Sequence, residues 1–411
     1  MITRPFLLSG RGVDRLMLAS LLSIAFAGAA LAQDTTTVRD SMTIRDSVRP
    51  EESTPTQESV PWKDSFYPYI TSGDNDFPLF VFHFEERKAA DYDARTTYAG
   101  LLTADAGAST RGSRFITLTF LAPLLRKDWR LATELTGERD ARFGFYGLGD
   151  TASYDKSLAT PAQPFLYRAH RTRYLARAEV TRHYKGPFSV AFAAGFEHSR
   201  FSDLPGPSIF RSTFGHEVND DDATGRLTLI ADTRDNEYNT HNGLLVEASA
   251  LAGSGGNGYS RLSLVARGYL QVREGTVLAA RIAGSGMNGT PPLNARFEIP
   301  AWEMMIPVYG GAPSNRGLAY QRLAGEDILF ANAEVRHDLL NLGDLGAVTL
   351  LGFVDAGRVF EGESFKLTTK GMKVGAGGGV ALRVLRSTIF TFNFAGGSDG
   401  FHFSLMSGWA F

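Results

Sequence analysis

Arg316 is the one charged residue in a run crowded with turn formers, Gly310-Gly311-Ala312-Pro313-Ser314-Asn315-Arg316-Gly317. Such a run folds back on itself, and the chemistry it offers is a planar guanidinium presented to an acid. Other chemistries have less to build on. The chain has no cysteine, which excludes disulfides, thiolate metal sites and a cysteine nucleophile. Its histidines stand at His83, His170, His183, His198, His216, His241, His337 and His402, with no H-x-x-x-H or H-E-x-x-H pair, so no metal site is expected. Ser404 and His402 share a face of the last segment, but that spacing on a strand does not build a hydrolase triad. The run Gly375-Ala376-Gly377-Gly378-Gly379 lacks the following helix that a phosphate cradle needs. No catalytic residue, no enzyme activity and no cofactor is expected.

A formal charge of −2, from 42 basic and 44 acidic residues, gives no field suited to nucleic acid. The N-terminus has the form of an export signal. Arg4, Arg11 and Arg15 precede an apolar stretch from Leu16 to Ala29, and Ala30-Leu31-Ala32 supplies an A-x-A site before Gln33. Beyond it no run approaches the ~18 apolar residues of a membrane helix. Three parts are expected: a signal peptide over 1–32, a disordered periplasmic tether over 33–65, and a single β domain over 66–411. The tether is polar, rich in Ser, Thr, Asp, Glu and Pro, and has too little apolar surface to offset chain ordering.

From Phe66 onward the pattern has period two. In 259–273 the odd positions include Arg261, Ser263, Arg267 and Gln271, while the even ones include Leu262, Leu264, Ala266 and Leu270. The same split runs through 223–234, 171–184, 244–252, 373–384 and 401–411. One face is apolar and the other carries full charges. Alternation alone also suits a soluble sandwich. The export signal, the unbroken succession of strands, and connections that alternate short and long favour a transmembrane antiparallel β-barrel. Strands are expected at 96–109, 113–125, 129–140, 168–185, 187–202, 223–236, 243–254, 259–273, 276–287, 327–341, 346–360, 371–386, 387–396 and 401–411. Leu79 to Lys88 and a weaker first strand in Phe66 to Thr71 bring the total to sixteen, with fourteen as the alternative. Phe401, Phe403, Leu405, Trp409 and Phe411 share one parity, giving an apolar last strand with aromatic girdle positions. Gly375, Gly377 and Gly379 fall on the polar face and are expected to make room for a packed loop. Asn219-Asp220-Asp221-Asp222 lacks EF-hand spacing and is expected to be a solvated acidic tip on an outer loop.

Four motifs occur in one order: Phe145-Tyr146-Gly147-Leu148-Gly149-Asp150, Asp232-Thr233-Arg234-Asp235-Asn236, the Gly310 to Gly317 loop, and Phe353-Val354-Asp355-Ala356-Gly357 with Glu334 on the strand between. With the terminal aromatic, this ordered set resembles the barrel of the BamA superfamily, the bacterial surface antigen or outer-membrane 85-kDa type. The resemblance implies sixteen strands, with one long outer loop folded into the lumen. It places Arg316 and Gly317 against wall acids at Glu334 and Asp355, beside Gly357, as a loop latch. It assigns Gly147, Gly149, Asp232, Arg234, Asp235 and Asn236 to motif turns, and Trp409 and Phe411 to the C-terminal signal shown to the barrel assembly machinery. The sequence departs from the family pattern in three places. Leu318 replaces an aromatic, Asp150 stands where Asn is common, and the proline after the Asp232 motif is missing from Asn239-Thr240-His241-Asn242. Parity agrees with the pairing, since Asn332, Glu334 and Arg336 share the polar face of their strand.

The resemblance also implies insertion of outer-membrane proteins or translocation of polypeptides, by a barrel without POTRA domains. The expected location is the bacterial outer membrane with both termini periplasmic. The expected partners are lipid and lipopolysaccharide, the assembly machinery, and a polypeptide substrate or periplasmic partner. Two alternatives are a pore or small-solute transporter, suggested by Arg171, Arg173, Arg177, Arg226, Arg267, Arg281 and Arg383, and a structural barrel. Glu134, Glu179, Asp232 and Glu247 on the same face argue for a paired network instead of an anion filter.

Overall fold

The computed structural model describes residues 60–411 apart from 72–75, 77, 93, 150–151, 153, 308, 363–367 and 386–387. The expected signal peptide, most of the expected tether, and Asp150 lie outside the described residues.

The chain is all-β. The first strands are β1 (Trp62–Thr71), β2 (Leu79–Ala89), β3 (Tyr98–Ser109), β4 (Arg114–Arg126), β5 (Trp129–Gly144) and β6 (Arg168–His183). Then follow β7 (Phe188–Ser202), a short helix α1 (Ile209–Phe214), β8 (Glu217–Asp232), β9 (Gly243–Gly253), β10 (Tyr259–Arg273) and β11 (Thr276–Gly289). An insertion carries the small hairpin β12 (Glu298–Ala301) and β13 (Met304–Pro307). The chain returns through β14 (Asp327–Asn341), β15 (Gly346–Phe360), β16 (Lys373–Val384), β17 (Thr388–Gly397) and β18 (Gly400–Ser407). Sixteen of these form one sheet in chain order, β11 pairing directly with β14, and β12 and β13 pair only with each other. Every neighbour in the large sheet is antiparallel, for example Asn332↔Asp355 and Ala356↔Val374.

The two faces follow the alternation. On β10, Leu262 and Leu264 are 69% and 50% exposed, while Arg261 and Arg267 are 3% and 8% exposed. Phe192 and Phe196 on β7 point outward, and the guanidinium of Arg177 on β6 is buried. A soluble protein would invert this arrangement. A sheet that is apolar outside and charged inside is what a lipid-facing barrel requires. The inward charges pair along the wall: Arg171 with Glu138 at 2.5 Å, Arg173 with Glu138 at 2.7 Å, Arg177 with Glu134 at 2.9 Å, and Arg226 with Glu179. Tight turns at the end where the chain terminates use left-handed φ, at Asp128 (66°) and Gly275 (69°), as short hairpins demand. At the opposite end Phe143, Phe145, Phe201, Phe210 and Phe297 pack into an apolar cap over the lumen.

Four expectations are corrected. The first strand begins at Trp62, so 62–65 belong to the sheet, where Lys63 and Asp64 sit opposite Arg87 and Glu86 beyond the apolar band. β8 begins at Glu217, because Asn219 to Asp222 pair with Glu197 to Arg200 of β7. Those acids therefore stand on a paired strand and not at a loop tip, with Asp221 exposed. Asp222 is 5% exposed and accepts the Gly255 N–H at 2.9 Å. The last strand stops at Ser407, so Trp409 and Phe411 are not girdle positions. Phe411 packs against Tyr269, Val277 and Ala279. The β12–β13 hairpin was not anticipated, since Pro300 and Pro307 break its pattern.

Candidate functional site

The insertion between β11 and β14 fills the lumen. Ile299, Ile306, Tyr309, Leu318 and Leu323 are all within 1% of full burial and pack with Phe330 of β14 and Val359 of β15. Leu318 thus occupies a core already supplied with aromatic surface by Tyr309 and Phe330, whose ring centroids lie 5.8 Å apart.

Arg316 is 2% exposed, Glu334 3% and Asp355 0%. Its Nε donates to Asp355 Oδ2 at 2.9 Å and its Nη2 to Asp355 Oδ1 at 2.8 Å, a bidentate pair. Nη1 donates to Glu334, and the Arg316 backbone N–H donates to Asp355 Oδ2 at 3.0 Å. The guanidinium carbon lies 3.4 Å from the centroid of the Phe353 ring. Burial alone would push this guanidinium down. The hydrogen bonds and charge of Asp355, and then those of Glu334, outweigh burial and hold it above its ordinary value.

Neighbours complete the network. Arg336 Nε donates to Glu334 Oε1 at 2.8 Å. Asn332 Nδ2 donates to Asp355 Oδ1 at 2.7 Å and to the Ser314 carbonyl at 2.6 Å. Arg281 Nη2 donates to Asn332 at 2.8 Å and to the Pro313 carbonyl at 2.5 Å. Arg281, suspected as a pore arginine, therefore clamps the loop.

Close backbone approach explains the glycines. A Cβ on Gly317 would lie 2.5 Å from the Gly396 carbonyl and 2.6 Å from Gly375 Cα, and one on Gly375 would lie 2.3 Å from Asn315. Of the three glycines expected to seat the loop, Gly375 does so. Gly377 and Gly379 instead approach the β17 backbone. Gly357 leaves room for Phe330 and Tyr309.

The remaining motif residues are held as follows. Gly147 and Gly149 flank Leu148, which bridges to Ala324, and the Gly149 N–H donates to the Ala324 carbonyl at 2.8 Å. Asp232 accepts Arg234 Nε and Nη2, each at 3.0 Å. Asp235 accepts the N–H groups of Asn236, His241 and Asn242, and Asn236 accepts those of Tyr238 and Asn239. The motif thus caps its own turn. Trp409 Nε1 donates to Asn239 Oδ1 at 3.1 Å, and Arg336 Nη2 to the Phe411 carbonyl at 3.1 Å. The turn and the tail after β18 therefore meet at the same mouth.

A second anchor of the insertion was missed. At the β12–β13 tip, the Trp302 N–H donates to Glu247 at 2.5 Å and its indole Nε1 to Thr181 at 3.0 Å. Next to it Glu303 takes Arg130 Nε at 2.9 Å, and Arg130 also grips Glu237 of the 233–242 turn at 2.8 and 3.0 Å. Arg130 is separated from these acids by 173 and 107 residues, and nothing local marks the pairing. The only available signal was the charge of Arg130 at a strand start.

The model of the Omp85 superfamily domain matches residues 66–395. Among solved structures, BamA from Haemophilus ducreyi lacking POTRA domains 1–3 is similar at TM-score 0.55 and 14% identity, over 84% of this chain and 70% of that one. CdiB from Escherichia coli is similar at TM-score 0.52 and 9% identity, over 84% of this chain and 62% of that one. CdiB from Acinetobacter baumannii gives 0.51, 11%, 85% and 65%. The chain thus spans less than two thirds of either CdiB chain. At these identities the likeness is one of fold. No curated protein matches in sequence.

Proposed function

The chain belongs to the Omp85 superfamily, and on that premise we propose that it is an outer-membrane barrel that handles polypeptides, inserting them into the membrane or passing them across it. The location is supported by the exposed apolar outer face. In this reading residues 1–32 direct export, both termini face the periplasm, and the C-terminal aromatics serve the barrel's own assembly. The barrel carries no catalysis of its own.

The observation that carries the reading is the filled lumen. The insertion is pinned by Arg316 on one wall and by Trp302 and Glu303 on another, and the far end is capped by phenylalanines. A solute pore needs an open path, and of the inward arginines that suggested one, Arg171, Arg173, Arg177, Arg226 and Arg267 pair with acids and Arg281 with the insertion. Glu334 and Asp355 act as the latch acids in this account, and Arg316 is the latch.

Depletion followed by quantitative outer-membrane proteomics tests the proposal. Loss of many barrels identifies insertion, and loss of one exported protein identifies dedicated translocation. An unchanged proteome overturns both.

A further inference from the structure

At the end of the barrel opposite the chain terminus, Arg114 of β4 and Arg139 of β5 are Cα partners in the strand register. Both are exposed, and alternation puts them on the outward face, in line with Ile116 and Leu118 on β4 and Leu135 on β5. Directly opposed strand residues have Cβ atoms about 4.5–5.5 Å apart, and like charges there are unfavourable. The same row continues through Thr172 of β6 to Arg200 of β7. Toward the middle of the wall the face is apolar, with Ile116, Leu118, Leu135 and Tyr174 all exposed. The row therefore marks the level at which the lipid-facing band gives way to charge.

No acid of this end answers the Arg114–Arg139 pair. Among the described residues Arg114 has no side-chain hydrogen bond or ion pair. Arg139 donates from Nε to His170 Nε2 at 2.7 Å, which only an unprotonated ring nitrogen can accept. His170 thus orients this guanidinium without neutralising it and leaves its two Nη groups for another acceptor. The nearby acids are engaged elsewhere. Glu217 takes Arg200 at 2.5 Å and Asp221 takes His198 at 2.8 Å. Glu138 and Asp140, beside Arg139 in sequence, turn to the lumen and hold Arg171 at 2.5 and 2.6 Å. Water screens the repulsion between two such cations, and the repulsion grows where lipid displaces that water. An anion gripped by both removes it.

The level of the pair indicates what carries that anion. A free ion has no use for the apolar surface immediately below, whereas a lipid headgroup brings acyl chains that need it. We propose that Arg114 and Arg139 together bind a phosphate monoester on an outer-leaflet glycolipid, the class to which the lipid part of lipopolysaccharide belongs, with its acyl chains against Ile116, Leu118 and Leu135. Guanidinium N–H pairs match phosphate oxygens in geometry, and a monoester carries close to two negative charges at neutral pH, enough for two cations. A phosphodiester headgroup carries one. The proposal rests on the outer-membrane reading only for placing this end in the outer leaflet.

Native mass spectrometry of the folded barrel in neutral detergent tests it. The probes are bis-phosphorylated lipid A, the same lipid A after dephosphorylation, phosphatidylglycerol and inorganic phosphate. Lipid A should bind at least about tenfold tighter than its dephosphorylated form and than phosphatidylglycerol. Arg114→Gln and Arg139→Gln should each weaken that preference and together erase it. Arg182→Gln, an exposed arginine at the other end of β6, should leave it unchanged. Because the paired cations repel, Arg114→Gln should not lower the temperature at which the lipid-free barrel loses its heat-modifiable mobility. Equal binding of lipid A and its dephosphorylated form overturns the proposal. So do equal binding of phosphatidylglycerol, displacement of lipid A by inorganic phosphate as effective as by lipid A itself, and a double variant that keeps the preference. Placement is read separately. Ser212→Cys on α1, a single thiol in this cysteine-free chain, should react with a membrane-impermeant maleimide on whole cells. A labelled barrel that shows no preference for lipid A overturns the site alone. An unlabelled one overturns the outer-leaflet placement, and with it the glycolipid as the source of the phosphate.

Discussion

Arg316 meets Asp355 along one edge and Glu334 through its remaining nitrogen, with Phe353 beneath its plane. An ammonium cannot reproduce that fork. Removing one partner of a buried ion pair costs about 3–5 kcal/mol, because the other charges stay buried without it. Arg316→Ala should therefore free the insertion, read as faster proteolytic cleavage within 290–326 and lost heat-modifiable mobility, and Arg316→Lys should recover only part of the loss. The glycines test the same seat without touching charge. Gly317→Val places atoms where Gly396 and Gly375 already lie and should unseat the loop as Arg316→Ala does. Gly352→Ala, which would meet nothing within 4 Å, should leave mobility unchanged. This much of the site was legible because parity put Glu334 and Arg336 on one face of β14 and the ordered motifs supplied Asp355. Arg130, Trp302 and Glu303 were not legible, since their contacts are set by how far the hairpin reaches into the lumen.

At the scale of elements, the insertion and the 233–242 turn share Arg130. Glu303 and Glu237 both depend on its guanidinium. Arg130→Ala removes the same guanidinium from both carboxylates. It should lower the urea midpoint of the folded barrel more than Glu303→Gln or Glu237→Gln alone, and the two glutamine changes together should be less than additive with it. Equal effects of all three would show that the sharing carries no energy. The turn depends on Asp235, which accepts three backbone N–H groups. Asp235→Ala should expose 236–242 to protease while the strands stay protected. Strand positions were legible from period two almost throughout. The exceptions have physical causes: β8 extends on polar residues above the apolar band, β12 and β13 contain prolines, and the tail leaves β18 because its aromatics find lumenal partners at Tyr269, Arg281 and Arg336.

For the molecule as a whole, an apolar outer face and a lumen packed by the chain's own insertion make a plugged barrel. The alternation revealed the barrel. It could not reveal the plug, because the lumenal face of a porin and that of a packed barrel are both polar, and only the pairing of Arg171, Arg177, Arg226 and Arg281 with acids and loop carbonyls separates them. Single-channel recording in a planar bilayer compares the two directly. The folded protein should show only small, brief openings, and Arg316→Ala should convert these to larger, longer ones as the insertion leaves the lumen. A steady, large, anion-selective current through the unaltered protein, or no change on Arg316→Ala, would contradict the latched plug.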